Sequence, residues 1–247
     1  MSRWKAAGIH VSISAVIALM AGALFFGLWY PPPFFKAAGA DELMTLLVGV
    51  DLAVGPLLTL IVFRSGKKGL KFDLIVIAVA QTAALVYGAS IVLESRPIFL
   101  VGAVDRLVLV GSNEVQDADL ADGRERVFRS RSWTGPQLVA IEMPTDEKGR
   151  SDLAFSALAG RDAQNLPKYY REYPAYGPRL LASAKKVAAL LAKHPEASDR
   201  IDTWLKSHGR DETSVVWIPL EARKHDLTMF INPKTAQPFG AIDVDPW

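Results

Sequence analysis

The sequence predicts a membrane protein: three N-terminal transmembrane α-helices followed by a small α+β extracytoplasmic domain with a C-terminal antiparallel β-meander. Half of the 247 residues are hydrophobic and only 22% are charged, too apolar a balance for a disordered chain. The apolar surplus is concentrated before residue 97, in three runs that each match the roughly 20 helical residues needed to cross a hydrocarbon layer of about 30 Å. Beyond residue 97, short apolar strand-like runs alternate with turn residues and amphipathic stretches. The two parts are therefore read as a transmembrane domain, residues 1–96, and an extracytoplasmic α+β domain, residues 97–247. The chain contains no cysteine, which excludes disulfides, thiol catalysis and Cys-ligated metal centres.

The spans run over about 9–30, 43–63 and 74–93, each bounded by charge, by proline or by both. Trp29 and Tyr30 stand where an interfacial aromatic belt stands. Arg3, Lys5 and the small residues Ala38-Gly39-Ala40 give the first run some likeness to a signal peptide. Its apolar stretch exceeds the roughly 7–15 residues of a signal core, so a retained anchor is expected. The 64–73 loop holds Arg64, Lys67, Lys68 and Lys71 against Asp73 alone, whereas the 31–42 loop holds Lys36 against Asp41 and Glu42. Positive loops stay in the cytoplasm. The N-terminus is then cytoplasmic, and residues 97–247 are periplasmic in a bacterium with two membranes.

Asp51 lies within the second span, where an ionisable group costs about 2.5–3.5 kcal/mol on insertion scales. Gly55 and Thr59 follow at four-residue steps, and Ser14, Ala18, Gly22 and Ala80, Ala84, Gly88 repeat that spacing in the other two spans. Small residues so spaced let helices approach closely in lipid. Counting depth along each helix puts Tyr87 level with Asp51 and Gln81 near Thr59, so both pairings are expected. The stripe reads either as internal packing of the three helices or as the seat of a partner helix. Only Asp51 is deep, which rejects an intramembrane aspartyl protease. His10, near the cytoplasmic mouth, reads as an interfacial residue.

In the second half, strands are expected over 98–101, 104–110, 137–142, 214–218, 227–231 and 239–244, and helices over 151–158, 179–193 and 197–208. Residues 117–131 read as a short helix or a loop. The helix pair is expected to cover the C-terminal meander. His194, His208 and His225 are scattered, with none of the short spacings that catalytic or metal motifs require; no catalytic residue, metal or cofactor is expected. The residues after 96 carry 20 Lys and Arg against 21 Asp and Glu, not the basic surface of a nucleic-acid binder. Tyr169, Tyr170, Tyr173 and Tyr176 lie among Pro167, Pro174 and Pro178. This segment reads either as a linker packed across the sheet or as a partner-binding edge, since tyrosine suits half-wet contacts. The closing Asp245-Pro246-Trp247 reads as a buried plug or, less favoured, as a partner contact.

Several of these stretches resemble a known family. Met1-Ser2-Arg3-Trp4-Lys5-Ala6, Val48-Gly49-Val50-Asp51, Gly55-Pro56-Leu57-Leu58-Thr59-Leu60 and Lys71-Phe72-Asp73-Leu74 are similar to the TfpX/TfpZ family of type IV pilin accessory proteins. So are Pro219-Leu220, Arg223-Lys224-His225-Asp226-Leu227-Thr228 and Asp245-Pro246-Trp247. The resemblance implies a multi-pass bacterial inner-membrane protein whose partners are the bilayer and its cognate major type IV pilin. On that reading Asp51, Gly55 and Thr59, with Gln81 and Tyr87, receive the pilin helix, while the tyrosine segment and its domain shelter the pilin head as a chaperone would. A membrane-anchored periplasmic sensor or ligand-binding module is the alternative, and a membrane-anchored enzyme a third.

Overall fold

The computed structural model describes residues 2–247; Met1, the first residue of the motif quoted above, lies outside the described residues. Three helices are long and apolar enough to cross a membrane. The first is α1 (Arg3–Leu24), capped by the Ser2 hydroxyl on the Lys5 amide and continued by a π-helical turn, Phe25–Trp29. A proline loop and the short α2 (Phe34–Ala37) lead to α3 (Ala40–Val62), and α4 (Leu70–Ser95) follows. Gly39 (φ 75°) and Gly69 (φ 84°) stand directly before α3 and α4 in the left-handed region, where a Cβ would be strained. α3 packs against both α1 and α4.

The second half is one mixed sheet. The strands β1 (Pro97–Ala103) and β2 (Arg106–Gly111) form a hairpin. After α5 (Asp117–Ala121), β3 (Gln137–Ile141) lies parallel to β1. Next come α6 (Glu147–Leu158), β4 (Tyr170–Glu172), α7 (Tyr173–Tyr176) and β5 (Lys185–Lys186). The helices α8 (Val187–Lys193) and α9 (Ser198–Ser207) precede β6 (Val216–Glu221), β7 (Leu227–Ile231) and β8 (Pro238–Ile242). The sheet order is β4-β3-β1-β2-β6-β7-β8, with β5 also on β6. The last three strands are an antiparallel meander, and α8 and α9 cover one of its faces through Val187, Leu190, Ile201 and Leu205 against Trp217 and Phe230.

One expected element breaks. The helix predicted over 179–193 is a 3-10 turn, Gly177–Ala182, and then the two residues of β5 before α8 begins. Tertiary pairing overrides the helical periodicity here. Lys185 and Lys186 pair with Trp217 and Val216, and the Trp217 indole donates to the Lys186 carbonyl at 3.1 Å.

The two halves of the sheet meet in a parallel seam only two residue pairs long, Leu107↔Leu220 and Val108↔Glu221. Arg106 fastens it. Its guanidinium donates to Glu221 at 2.9 Å and to Asp105 at 2.8 Å, and lies 4.7 Å from the centre of the Trp247 ring. Trp247 in turn donates from its indole to Asp226 at 2.6 Å. The terminal motif is therefore only half a plug: Pro246 is buried, but Trp247 stays 46% exposed because its ring works as a platform for Arg106. The hydrogen bond from Arg106 holds the Asp105 carboxyl below its ordinary range. A carboxyl lowered in the fold stabilises it above the unfolded pKa, and that contribution is lost as pH falls through the folded one. Thermal unfolding of Asp105→Asn should therefore lose less stability than the native chain on acidification. The difference should be small, since Asp105 is half exposed.

Candidate functional site: the helix bundle and its junction with the sheet

Four of the five intramembrane site residues face inward. On α3, Leu47, Asp51, Gly55 and Thr59 are all buried. A Cβ on Gly55 would stand 2.0 Å from the Gln81 amide nitrogen, so the glycine is the space that the Gln81 side chain fills. Gln81 itself reaches the backbone carbonyl of Asp51 at 3.4 Å. The His10 ring nitrogen Nδ1 lies 2.6 Å from the Thr59 hydroxyl. Towards the end nearer the sheet domain, Gly22 and Gly88 sit under Met44 and Leu47. Both expected pairings are thus corrected. Gln81 meets the Asp51 carbonyl rather than Thr59, and Thr59 pairs with His10, which is part of the bundle interior and not merely an interfacial residue.

Tyr87 takes no part in this interior. It is 70% exposed and borders a shallow groove of about 770 Å³ along the outer face of α4, with Ile75, Val79, Thr82, Ala83 and Ser90. These residues recur at three- and four-residue steps from 75 to 90, a helical stripe roughly 22 Å long at 1.5 Å per residue. The expected Ala80-Ala84-Gly88 stripe does not act as a unit: Ala80 and Ala84 are exposed, while Gly88 lies against Leu47.

The tyrosine segment also divides. Tyr170 and Tyr173 are fully buried, which corrects their placement on a partner-binding edge. Tyr170 packs edge-on to Phe99 at 4.9 Å and donates its hydroxyl to the Gln164 carbonyl. Tyr173 donates to the Ala236 carbonyl at 2.7 Å. Burial pushes both phenols well above their ordinary pKa. Tyr169 and Tyr176 remain half-buried at the surface, Tyr176 beneath the Arg179 guanidinium.

The residues that join bundle to sheet were not anticipated from the sequence. Phe34 and Ala37 of α2 belong to the same apolar cluster as Leu107, Ile218 and Leu220 of the sheet. The backbone amide of Lys224 donates to the Ala37 carbonyl at 3.0 Å, and its ammonium pairs with Glu42 at 2.8 Å. Tyr30 donates to the Val92 carbonyl at 2.8 Å. Arg96, buried at the end of α4, donates to the carbonyls of Leu93 and Ser132 and stacks on Trp133. Desolvation, then the nearby Arg131 charge, lowers its pKa. The one sequence signal was a lone arginine between the third span and Pro97. Among the described residues, no three His, Asp or Glu side chains converge as metal ligands do.

The family described as fimbrial assembly protein FimB matches residues 1–39, which comprise α1, the proline loop and α2. The fimbrial assembly protein of serogroup E1 of Dichelobacter nodosus is 26% identical over 244 residues, 98% of this chain and 95% of that relative. The serogroup I protein of the same organism is 25% identical over the same share of each chain. The protein of serogroups C1 and C2 is 32% identical over 113 residues, 45% of this chain and 86% of its own. No solved structure matches. With α2 lodged in the sheet core, the segment that carries the family match also joins the two halves of the molecule, and the chain belongs to the family of fimbrial assembly proteins.

Proposed function

We propose that this chain is a non-catalytic assembly factor for type IV fimbriae, of the TfpX/TfpZ kind, that holds the cognate major pilin in the bacterial inner membrane before it enters the fibre. The observation that carries this reading is the relation to fimbrial assembly proteins over nearly the whole chain. In this proposal the chain divides at 96/97 into a transmembrane part and a periplasmic part, and contacts through α2, Arg96 and Lys224 support a firm join between them. Such a body can meet a membrane-anchored subunit at two levels, in the bilayer and outside it. Binding the folded subunit and not its unfolded form stabilises it by mass action.

The partner helix docks on the outer face of α4 in this proposal, with Tyr87 at its polar centre. A phenol in hydrocarbon has no water to satisfy its hydroxyl, and a partner helix supplies an acceptor. Asp51, Gly55 and Gln81 serve that face indirectly by fixing α4 against α3, while Thr59 fixes α3 against α1 through His10. Tyr169 and Tyr176 are the residues of the tyrosine segment open to the periplasmic head.

Site-specific photo-crosslinking in native membranes tests this. A probe at Tyr87 or Val79 is expected to give an adduct with the fimbrial subunit, and a probe at Gly55 only adducts within the chain. Subunit adducts from Gly55 and none from Tyr87 would return the docking site to α3. Wild-type fimbriation in a strain lacking the gene would sink the assembly role altogether.

A further inference from the structure

A cavity of about 470 Å³ opens where the bundle meets the sheet domain. One wall is apolar. Phe26, in the last turns of the first span, stacks on Phe35 at 3.9 Å, and Pro32 and Leu227 extend that wall. The rest is charged or ionisable: Lys36, Asp41, His225 and Asp243. Asp41 lies in the first turn of α3 and Phe26 three residues before the end of the π-helical turn, so the cavity stands at the rim of the hydrocarbon layer on the side of the sheet domain.

Among the described residues, none of these four polar side chains sits in a direct ion pair, although Asp41 also feels the Lys224 charge that pairs neighbouring Glu42. One carboxylate oxygen of Asp41, Oδ1, is buried without a hydrogen-bond partner, a costly state for a charged group unless something completes it. We propose that the cavity binds the headgroup of an aminophospholipid of the ethanolamine class, its acyl chains running down the Phe26–Phe35 wall. A primary ammonium offers three N–H donors, suited to two carboxylates from different elements, Asp41 and Asp243. The adjoining phosphate falls to Lys36, with His225 beside it. A choline headgroup has no N–H to give, and a glycerol headgroup has hydroxyl donors but no positive charge to set against the two carboxylates.

Native mass spectrometry of the full-length protein tests this after release from nanodiscs holding equal amounts of ethanolamine, choline and glycerol phospholipids with identical chains. The retained lipid is expected to be enriched about tenfold in the ethanolamine class, the scale of one charge-assisted hydrogen bond. Asp243→Asn, at an exposed position, and Asp41→Asn should each bring that ratio towards one, while Lys36→Gln lowers retention of all three lipids. Unchanged thermal unfolding of Asp243→Asn separates a lost ligand from a lost fold. Equal retention of the three classes overturns the proposal, as does a glycerol preference or an enrichment that survives Asp243→Asn. Displacement of the lipid by soluble glycerophosphoethanolamine at equal concentration would make a free headgroup the ligand and overturn the lipid assignment.

Discussion

Replacing Tyr170 with alanine is expected to destabilise the sheet domain by about 3–5 kcal/mol, the usual cost of emptying a buried aromatic site. Whole domains are stable by only about 5–15 kcal/mol, so this one side chain decides whether the domain persists. Its ring is fully buried, edge-on to both Phe99 and Phe128 at 4.9 and 6.0 Å, and joins the edge strand β4 to the interior strand β1. Tyr170→Phe keeps the ring but leaves the Gln164 carbonyl unmet, at a cost of about 1–3 kcal/mol. Tyr176→Ala, at a half-buried site, should leave stability nearly unchanged. Denaturant unfolding of the full chain in detergent orders the three variants. A Tyr170→Ala protein with native stability would return this residue to the partner-binding edge. The same burial has an alkaline signature. A phenol whose pKa is raised in the fold stabilises fully below its unfolded value of 10.0 and loses that contribution as pH rises through the folded one. Tyrosinate absorbance should therefore show Tyr170 and Tyr173 among the late-titrating phenols, ionising together with unfolding of the sheet domain.

The elements that could be read from the sequence are those set by local pattern. The three spans announce themselves through apolar length alone, and α1, α3 and α4 merely run a few residues past the apolar runs at Arg3, Ala40 and Leu70, because helical hydrogen bonding does not stop where hydrocarbon begins. The C-terminal meander and α9 follow from short-range signals. What was hidden depends on pairing between distant residues: the two-pair seam of β2 with β6, the β5 interruption, and the entry of Phe34 and Ala37 into the sheet core. The candidate site was half legible for a geometric reason. Depth along a helix can be counted, and it placed Asp51, Gly55, Gln81 and Tyr87 in the membrane at neighbouring levels. Direction around the helix needs the second coordinate. Gln81 and Tyr87 are six residues apart, which at about 100° per residue leaves them roughly 120° from facing the same way. Only one of them can look squarely at α3, and Gln81 does. The tyrosine segment shows the same gap. Its composition forbids a long helix, but which rings turn inward is fixed by the pairing of Val139, Ala140 and Ile141 with residues 170–172.

The pairing of Gly55 with Gln81 yields the second large effect. Gly55→Ala sets a methyl group where the Gln81 amide lies, 2.0 Å from its nitrogen and 2.4 Å from its carbonyl carbon. Overpacking of this kind costs about 1–3 kcal/mol. Gln81 is flexible and can swing away, but it then gives up the Asp51 carbonyl and takes an amide into hydrocarbon, where an unmet polar group is expensive. Gln81→Ala alone loses the contact and leaves a gap. The double variant Gly55→Ala/Gln81→Ala fills that gap with the new methyl, so it should recover much of the loss, with a coupling energy of about 0.5–3 kcal/mol. Thermal unfolding of the four proteins in one detergent measures that cycle, and additive losses would mean that the two residues do not share a space. The cycle also bears on function. If Gly55→Ala abolishes fimbriae and the double variant restores both stability and fimbriae, Gly55 acts through the seating of α4. A double variant that is stable yet bald would instead mean that a partner helix needs the glycine itself, and the docking face would lie on α3.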